Sequence, residues 1–445
     1  MMTNGFFAKD TLLLGSDAAR TLYEEVRDLP IIDYHCHLDP RMIAENARFE
    51  DIGSFWLAHD HYKWRAMRLC GVEERYITGN ASYREKFLKY AEILPLLCGN
   101  PLYYWTHMEL SMIFGIKKPL CAENADQIYD EASEQLKGLS VLNLLERFGV
   151  EYIATTDDPT DDLSFHGTHG KTRVCPTFRP DKVWTFDPLY LEKLGKIAGC
   201  TTDTLDGCMT ALLRRLDYFY EKGCRISDHG FEHFPKTFLS REEAARLYEE
   251  RAFLSEDGRT ALFGYILSEM MLAYKKRSMT AQLHFGVTRN VNKTMYARIG
   301  VDSGFDVMSA PQDVRDVIAF LARFEDDARP DILLYTLNDV PLSSLACMTG
   351  AFRGVRMGAA WWFCDTVGGI RRNLETVAEF TALGRSVGML TDSRSFSSYA
   401  RFDFFRRILA DFIGGYVTRG EYDMPAASAL MKSICYDNAK ALVQS

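Results

Sequence analysis

Eight short apolar, β-prone runs recur along the 445-residue chain, most of them separated by stretches of helical periodicity. That alternation constrains the fold more than any other feature. The runs are "IIDYHCH" (Ile31–His37), "VEYIATTDD" (Val150–Asp158), "KTRVCPTF" (Lys171–Phe178) and "GCRISDH" (Gly223–His229). They continue with "TAQLHFG" (Thr280–Gly286), "DILLYTL" (Asp331–Leu337), "GVRMGAAWWF" (Gly354–Phe363) and "SVGMLTDS" (Ser386–Ser393). Strands that alternate with amphipathic helices, such as "REEAARLYEE" and "DVRDVIAFLARF", make a parallel sheet with its helices outside. Eight of them predict a closed (β/α)8 TIM barrel. A first helix is expected to start at Ser16 or Asp17, carry Leu22, Tyr23 and Val26 on one face, and stop before Pro30.

Two connections are far longer than ordinary βα loops. Residues 38–149 and, roughly, Gly230 to Met279 both carry helical patterns. The chain therefore divides into a barrel, residues 1–37 and 150–445, and a helical insertion, residues 38–149. Insertions after a barrel strand lie at the catalytic mouth, so both are expected to wall or cover a site there.

Polar residues gather where the runs end. In an extended chain Asp33, His35 and His37 share one face, and two neutral imidazoles one residue apart can grip a metal ion. The later runs end in Asp228 and His229, then His284 followed by Arg289, then Trp361, Trp362 and Asp365, and lastly Asp392 and Arg394. Arg179 follows the third. Asp392 and Arg394 share a face if the chain is still extended there. Each residue also has a plainer reading: "TDSR" as a helix N-cap, the paired tryptophans as core, "HDHYKWR" as an exposed amphipathic helix.

Composition narrows the function classes. Hydrophobic residues make up 47% of the chain and charged residues 25%, an ordinary globular balance able to bury a large core. The net charge of −9 argues against a general nucleic-acid binder, and an anionic ligand would need a local arginine cluster. The eleven cysteines form no C-x-x-C pair and read as buried free thiols of a reducing compartment. "MMTNGFFAKDTLLLGSD" has too short an apolar run for a secretory signal, and no stretch reaches the ~18 apolar residues of a membrane span. The expectation is a soluble, cytoplasmic protein.

Taken together, "DYHCHLDP", "HDHYKWRAMR", "PTFRPDK", "SDHGFEHF", "QLHFGVTRN", "WWF" and "GMLTDSRSFSSYARFDFFRR" resemble the uronate isomerase family of the amidohydrolase superfamily. The resemblance runs from about Asp33 to the C-terminal "ICYDNAKALV". It implies a barrel of the metal-dependent hydrolase type that interconverts D-glucuronate with D-fructuronate and D-galacturonate with D-tagaturonate in hexuronate catabolism. The metal ligands would be His35, His37 and Asp392. His61, Tyr62, Arg179, Asp228, His284, Arg289, Trp361 and Arg394 would handle substrate. The implied partner is a small hexuronate, with no nucleic acid or membrane, in a homo-oligomer. One departure stands out: the family's arginine after the sixth strand has no counterpart in "LNDVPLSS".

Aldose–ketose isomerisation opens the sugar ring and moves a proton between C2 and C1 through a cis-enediol. Arg394 and Arg179, with Arg289 in support, suit a clamp for the C6 carboxylate. Tyr62 and Asp228 are the candidates for the proton carrier, and His284 for a donor to the developing oxyanion. Asp392 is expected to have a low pKa and to take a hydroxyl proton only transiently. Binuclear hydrolases of the superfamily add a lysine at strand four and a histidine at strand six. Asp228 and "ILLYTLND" replace these here, so one divalent ion, most simply zinc, is expected.

Overall fold

The computed structural model describes residue 7 and residues 11–444. Its barrel strands pair parallel in two sheets, the first edged by the antiparallel strand Gly167–His169, and a separate antiparallel ribbon joins Val287–Thr288 to Val307–Met308. Much of the N-terminal stretch examined for a secretory signal lies outside the described residues. In the first sheet β1 (Ile31–Asp33) pairs with β2 (Val150–Ala154), which pairs with β3 (Thr172–Cys175). In the second, β4 (Ile226–Phe231), β5 (Thr280–Phe285), β6 (Asp331–Thr336) and β7 (Val355–Met357) follow in spatial order. Phe178, just past β3, joins the sheets by bridging to Asp157 on one side and Ser227 on the other. All six residues of β5 are buried, as in a parallel strand covered on both faces.

The eighth run departs from expectation. Residues 386–393 form no regular strand. They lie beside β1's extension through two bonds, Asp392 N to His35 O (3.2 Å) and His37 N to Ser393 O (3.0 Å). Gly388 (φ 76°) and Asp392 (φ 44°) are both left-handed, and such residues break the regular spacing of a ladder. The segment still fills the eighth position of the (β/α)8 barrel, as a strap.

The barrel interior is a packed plug of Ile32, Tyr34, Tyr152, Leu333 and Tyr335. Tyr335 donates to Gln282 Oε1 (3.0 Å) and Tyr34 to Gly388 O (3.1 Å), so the buried hydroxyls are satisfied. A Cβ at Gly358 would lie 2.2 Å from the Tyr335 ring, so only glycine lets that ring sit there.

Helix α1 (Asp17–Val26) is capped by Ser16, which accepts from Ala19 N, and buries Leu22, Tyr23 and Val26 as the pattern requires. Between β1 and β2 the regular elements are helical; they include α2 (His61–Leu69), begun by the Asp60 cap. The Gly230–Met279 stretch holds the long helix α3 (Glu256–Lys276). Helix α4 (Ala400–Thr418) packs on α1, where Gly414 meets Ala19 closely enough to exclude a side chain. All eleven cysteines are free, but only five are buried, and Cys98 and Cys347 are exposed. Among the described residues no helix is long and apolar enough to cross a membrane.

Candidate active site

The C-terminal ends of the strands open into a cavity of about 450 Å3. Its floor begins where β1 stops. His35 and His37 both turn toward Asp392, with Nε2 atoms 3.2 and 3.1 Å from the same oxygen, Oδ1. The left-handed bend at Asp392 means that the chain is not extended there. The period-2 relation expected between Asp392 and Arg394 therefore does not apply. Nor does "TDSR" cap a helix: Thr391 donates from N (3.0 Å) and Oγ1 (2.6 Å) to buried Asp33, tying the strap to β1.

Burial works against the charge on Asp392, but hydrogen bonds from His35 and His37 overcome it and hold the carboxyl well below its usual range. Burial also pushes His37 down to about 4, which keeps it neutral; Nε2 would give up the proton it shares with Asp392 on binding a cation. Two imidazoles and a carboxylate converging this way are a fitting donor set for one divalent cation. A second possible set, His35, Asp228 and His284, shares His35. There, however, Arg179 already sits on the carboxylate, with Nη1 2.9 Å from Asp228 Oδ2. A guanidinium takes the charge a second cation would need.

Asp228 is fully buried beneath the cavity wall. Burial raises its pKa, yet Arg179, His35 and His284 outweigh that and keep it ionised. An ionised Asp228 can only accept, so at 2.6 Å His284 Nδ1 is the donor. This leaves neutral His284 Nε2 with a lone pair and no partner among the described residues, a tautomer that does not donate there. Tyr335 stacks on this imidazole at 4.2 Å and Trp361 meets it edge-on at 4.5 Å.

The three nominated arginines all line the cavity. Arg179 also donates from Nε to Asp181 Oδ2 (2.8 Å), and Gly230 leaves room for it: a Cβ there would be 2.4 Å from Arg179 Nη2. Arg289 pairs with Asp306 (3.0 Å) and lies over the Trp362 ring. Arg394 pairs with half-exposed Asp302 (2.9 Å). No lining residue comes from the loop after β6, where the family's further arginine was missed.

Helix α2 is not merely an exposed amphipathic surface. His61, at its start, lines the cavity, and Lys63 is buried against Asp60 at 2.6 Å. Trp361 and Trp362 are buried, as the core reading expects, and they also line the cavity. Tyr62 and Asp228 are not part of the cavity wall. Tyr62 stands behind His61 and Trp362, its hydroxyl donating to Asp365 Oδ2 (2.9 Å). Asp302, Asp306 and Asp181 were not singled out from the sequence. Their only signal is acidity in loops, which says nothing about which arginine they will meet.

A family model described as glucuronate isomerase matches residues 2–443. A uronate isomerase of Marinomonas sp. is 40% identical over 462 residues, covering 98% of this chain and 98% of the relative. The crystal structure of a uronate isomerase from Thermotoga maritima superposes with a TM-score of 0.94 at 34% identity, covering 98% of this chain and 99% of the other. A glucuronate isomerase from Caulobacter crescentus gives 0.93 at 29% identity, over 98% and 97% of the two chains. With a family match over nearly its whole length, and a barrel and cavity of this construction, the chain belongs to the uronate isomerase family.

Proposed function

We propose that the cavity isomerises D-glucuronate to D-fructuronate and D-galacturonate to D-tagaturonate by proton transfer through a cis-enediol. The observation that carries this reading is the gathering of Arg179, Arg289 and Arg394 around one cavity whose floor is the His35, His37 and Asp392 triad. An acidic protein that concentrates guanidiniums in one cleft is equipped to hold an anionic sugar. The partner of Arg394, Asp302, is half-exposed at the rim, and a substrate carboxylate can take its place at little cost, whereas buried Asp306 holds Arg289 in a supporting position.

One divalent ion, zinc, suits the triad. His35, His37 and Asp392 would hold it, with both imidazoles already within 3.2 Å of one carboxylate oxygen. Such an ion would polarise the oxygens at C1 and C2 and favour their ionised forms. Asp392 accepts the hydroxyl proton during ring opening, a transient role for so weak a base. Asp228, locked between Arg179 and His284, orients the imidazole rather than carrying a proton. With Trp361 packed under the sugar, this leaves Tyr62 as the proton carrier. Its hydroxyl rests on Asp365 behind the cavity wall, so the transfer requires neutral His61, which forms that wall, to yield. Residues 38–149 supply both as an insertion folded over the mouth of a barrel made by 1–37 and 150–445. Free cysteines throughout fit a cytoplasmic setting, and the family reading fits a homo-oligomer with no nucleic-acid or membrane partner.

Turnover of both uronates, followed by proton NMR before and after removal of metal by a chelator, tests this reading. Conversion of both sugars is expected from the loaded protein. Unchanged aldose under every loading condition counts against it.

A further inference from the structure

Behind the partition made by His61 and Trp362 lies a second space of about 110 Å3, which Tyr62 and Asp365 help to line. It reaches the surface at Leu69, which is 71% exposed. Asp365 itself is only 3% exposed. Its Oδ2 accepts from Tyr62, and the Arg401 guanidinium of α4 is 3.9 Å from that same oxygen. Asp365 Oδ1 has no hydrogen-bond partner among the described residues.

That is a loose setting for a buried acid. Asp60 is clasped by Lys63 at 2.6 Å and Asp228 by Arg179 at 2.9 Å. Arg401 instead lies over the Trp105 ring at 3.9 Å and the Tyr62 ring at 5.0 Å, and donates to Thr391 O at 3.1 Å. A purely structural carboxylate buried this way would carry its desolvation cost without a close counter-charge.

We propose that Asp365 is the positioning partner of Tyr62: it orients the phenol and accepts the phenolic proton when a substrate proton arrives on the tyrosine oxygen. The proposal rests on Tyr62 being the carrier. In the step, the C2–H bond breaks, its electron pair forms the C1–C2 double bond and the C1 carbonyl pair moves onto O1; the O2 proton then passes to O1 along the cis-enediolate. The C2 proton lands on Tyr62 Oη while the original phenolic proton passes to Asp365 Oδ2, so the carboxylate becomes an acid. Delivery of the Tyr62 proton to C1 closes the C2 carbonyl on the deprotonated O2, and the proton on Asp365 returns to Tyr62. Tyr62 thereby avoids becoming a phenolate, which burial and the neighbouring Asp365 charge disfavour strongly.

Burial pushes Asp365 up to about 7 against the opposing pull of Arg401 and the Tyr62 hydrogen bond, so both protonation states are within reach near neutral pH. Tyr62 on α2, Arg401 on α4 and, more distantly, Asp392 on the strap are the ionisable groups facing it. Beyond Arg401 lie Asp60 and Glu109. The open side of the small cleft lets water reach the pair from away from the sugar.

The test is Asp365→Asn, which keeps the volume and can still accept from Tyr62. On D-glucuronate, kcat should fall by roughly 10²-fold, the low end of general acid–base losses, with KM nearly unchanged. The carboxylate is the accepting form, so the parent's kcat should rise with pH through about 7, and that limb should vanish in the variant. Tyr62→Phe combined with Asp365→Asn should be no slower than Tyr62→Phe alone. Parent-like kcat with the limb intact, or fully additive losses, would overturn the proposal. A Tyr62→Phe variant as active as the parent fails differently: it removes the carrier reading beneath. If Asp365→Asn does not accumulate as folded protein, Asp365→Ala with added formate replaces it. Rescue of kcat supports the proposal, and folded protein that formate cannot rescue contradicts it.

Discussion

Arg394 and Gly230 show how single residues set the site. Arg394 is partly exposed and touches one rim aspartate, so the barrel does not depend on it. Arg394→Met should lower kcat/KM for both uronates by roughly 10²-fold or more, in line with the about 2–5 kcal/mol lost when one partner of a hydrogen-bonded charge pair is removed from an enclosed site. Its circular dichroism and melting temperature should match the parent, and equal losses of stability and activity would count against a carboxylate clamp. Gly230 has no chemistry of its own, yet a methyl group there must push Arg179 away from Asp228. Gly230→Ala should therefore cost about 10²-fold in turnover, the usual penalty for misplacing a binding group by an ångström. Kinetics no worse than twofold below the parent would mean that Arg179 is not needed where it stands. The sequence identified the arginines, because such residues at strand ends have no place in a core. It could not identify their partners, which come from loops distant in the chain, and it gave Asp365 no role for the same reason.

At the scale of elements, the strap 386–393 is the part most specific to this site. Its apolar run read as a strand, and seven other runs with that signature do form parallel strands. What pattern alone did not reveal is that Gly388 and Asp392 take left-handed conformations, decided by the contacts with β1 rather than by local propensity. The bend brings Asp392 to the histidines, and Thr391 fixes it through Asp33. Thr391→Val removes one of the two donors to a buried carboxylate and should cost about 1–3 kcal/mol of stability, read as a lower denaturation midpoint. Because the strap carries Asp392, one of the three proposed metal ligands, zinc affinity should fall about 10–100-fold as well. A stability loss with unchanged zinc affinity would separate the strap from the metal site. Helix α1, by contrast, was readable to its cap, since Ser16 and its apolar stripe act locally.

For the whole molecule, the helical stretch after β1 and the later barrel loops both line the cavity, through His61 and through Trp361 and Trp362, and next to them lies an acid whose titration the fold has displaced. Asp365 moves from a usual 3.8 to about 7, so between those values the folded chain holds a proton that the unfolded chain has released. Stability from this group is complete below about pH 3.8 and declines as pH rises toward 7. Asp365→Asn should remove that slope, gaining melting temperature relative to the parent between pH 5 and pH 8. Parallel melting curves for the two proteins over that range would show that Asp365 does not titrate as described. The central claim, however, is proton transfer through a cis-enediol in the arginine-lined cavity. Its most direct test is D-glucuronate turnover in deuterated water, with the ketose examined by NMR. Deuterium at C1, in a single stereochemical position, is the predicted result. Ketose formed with no deuterium at C1 under any turnover condition, in a protein whose Tyr62→Phe and Asp228→Asn variants keep full activity, would point to a hydride shift and contradict the account.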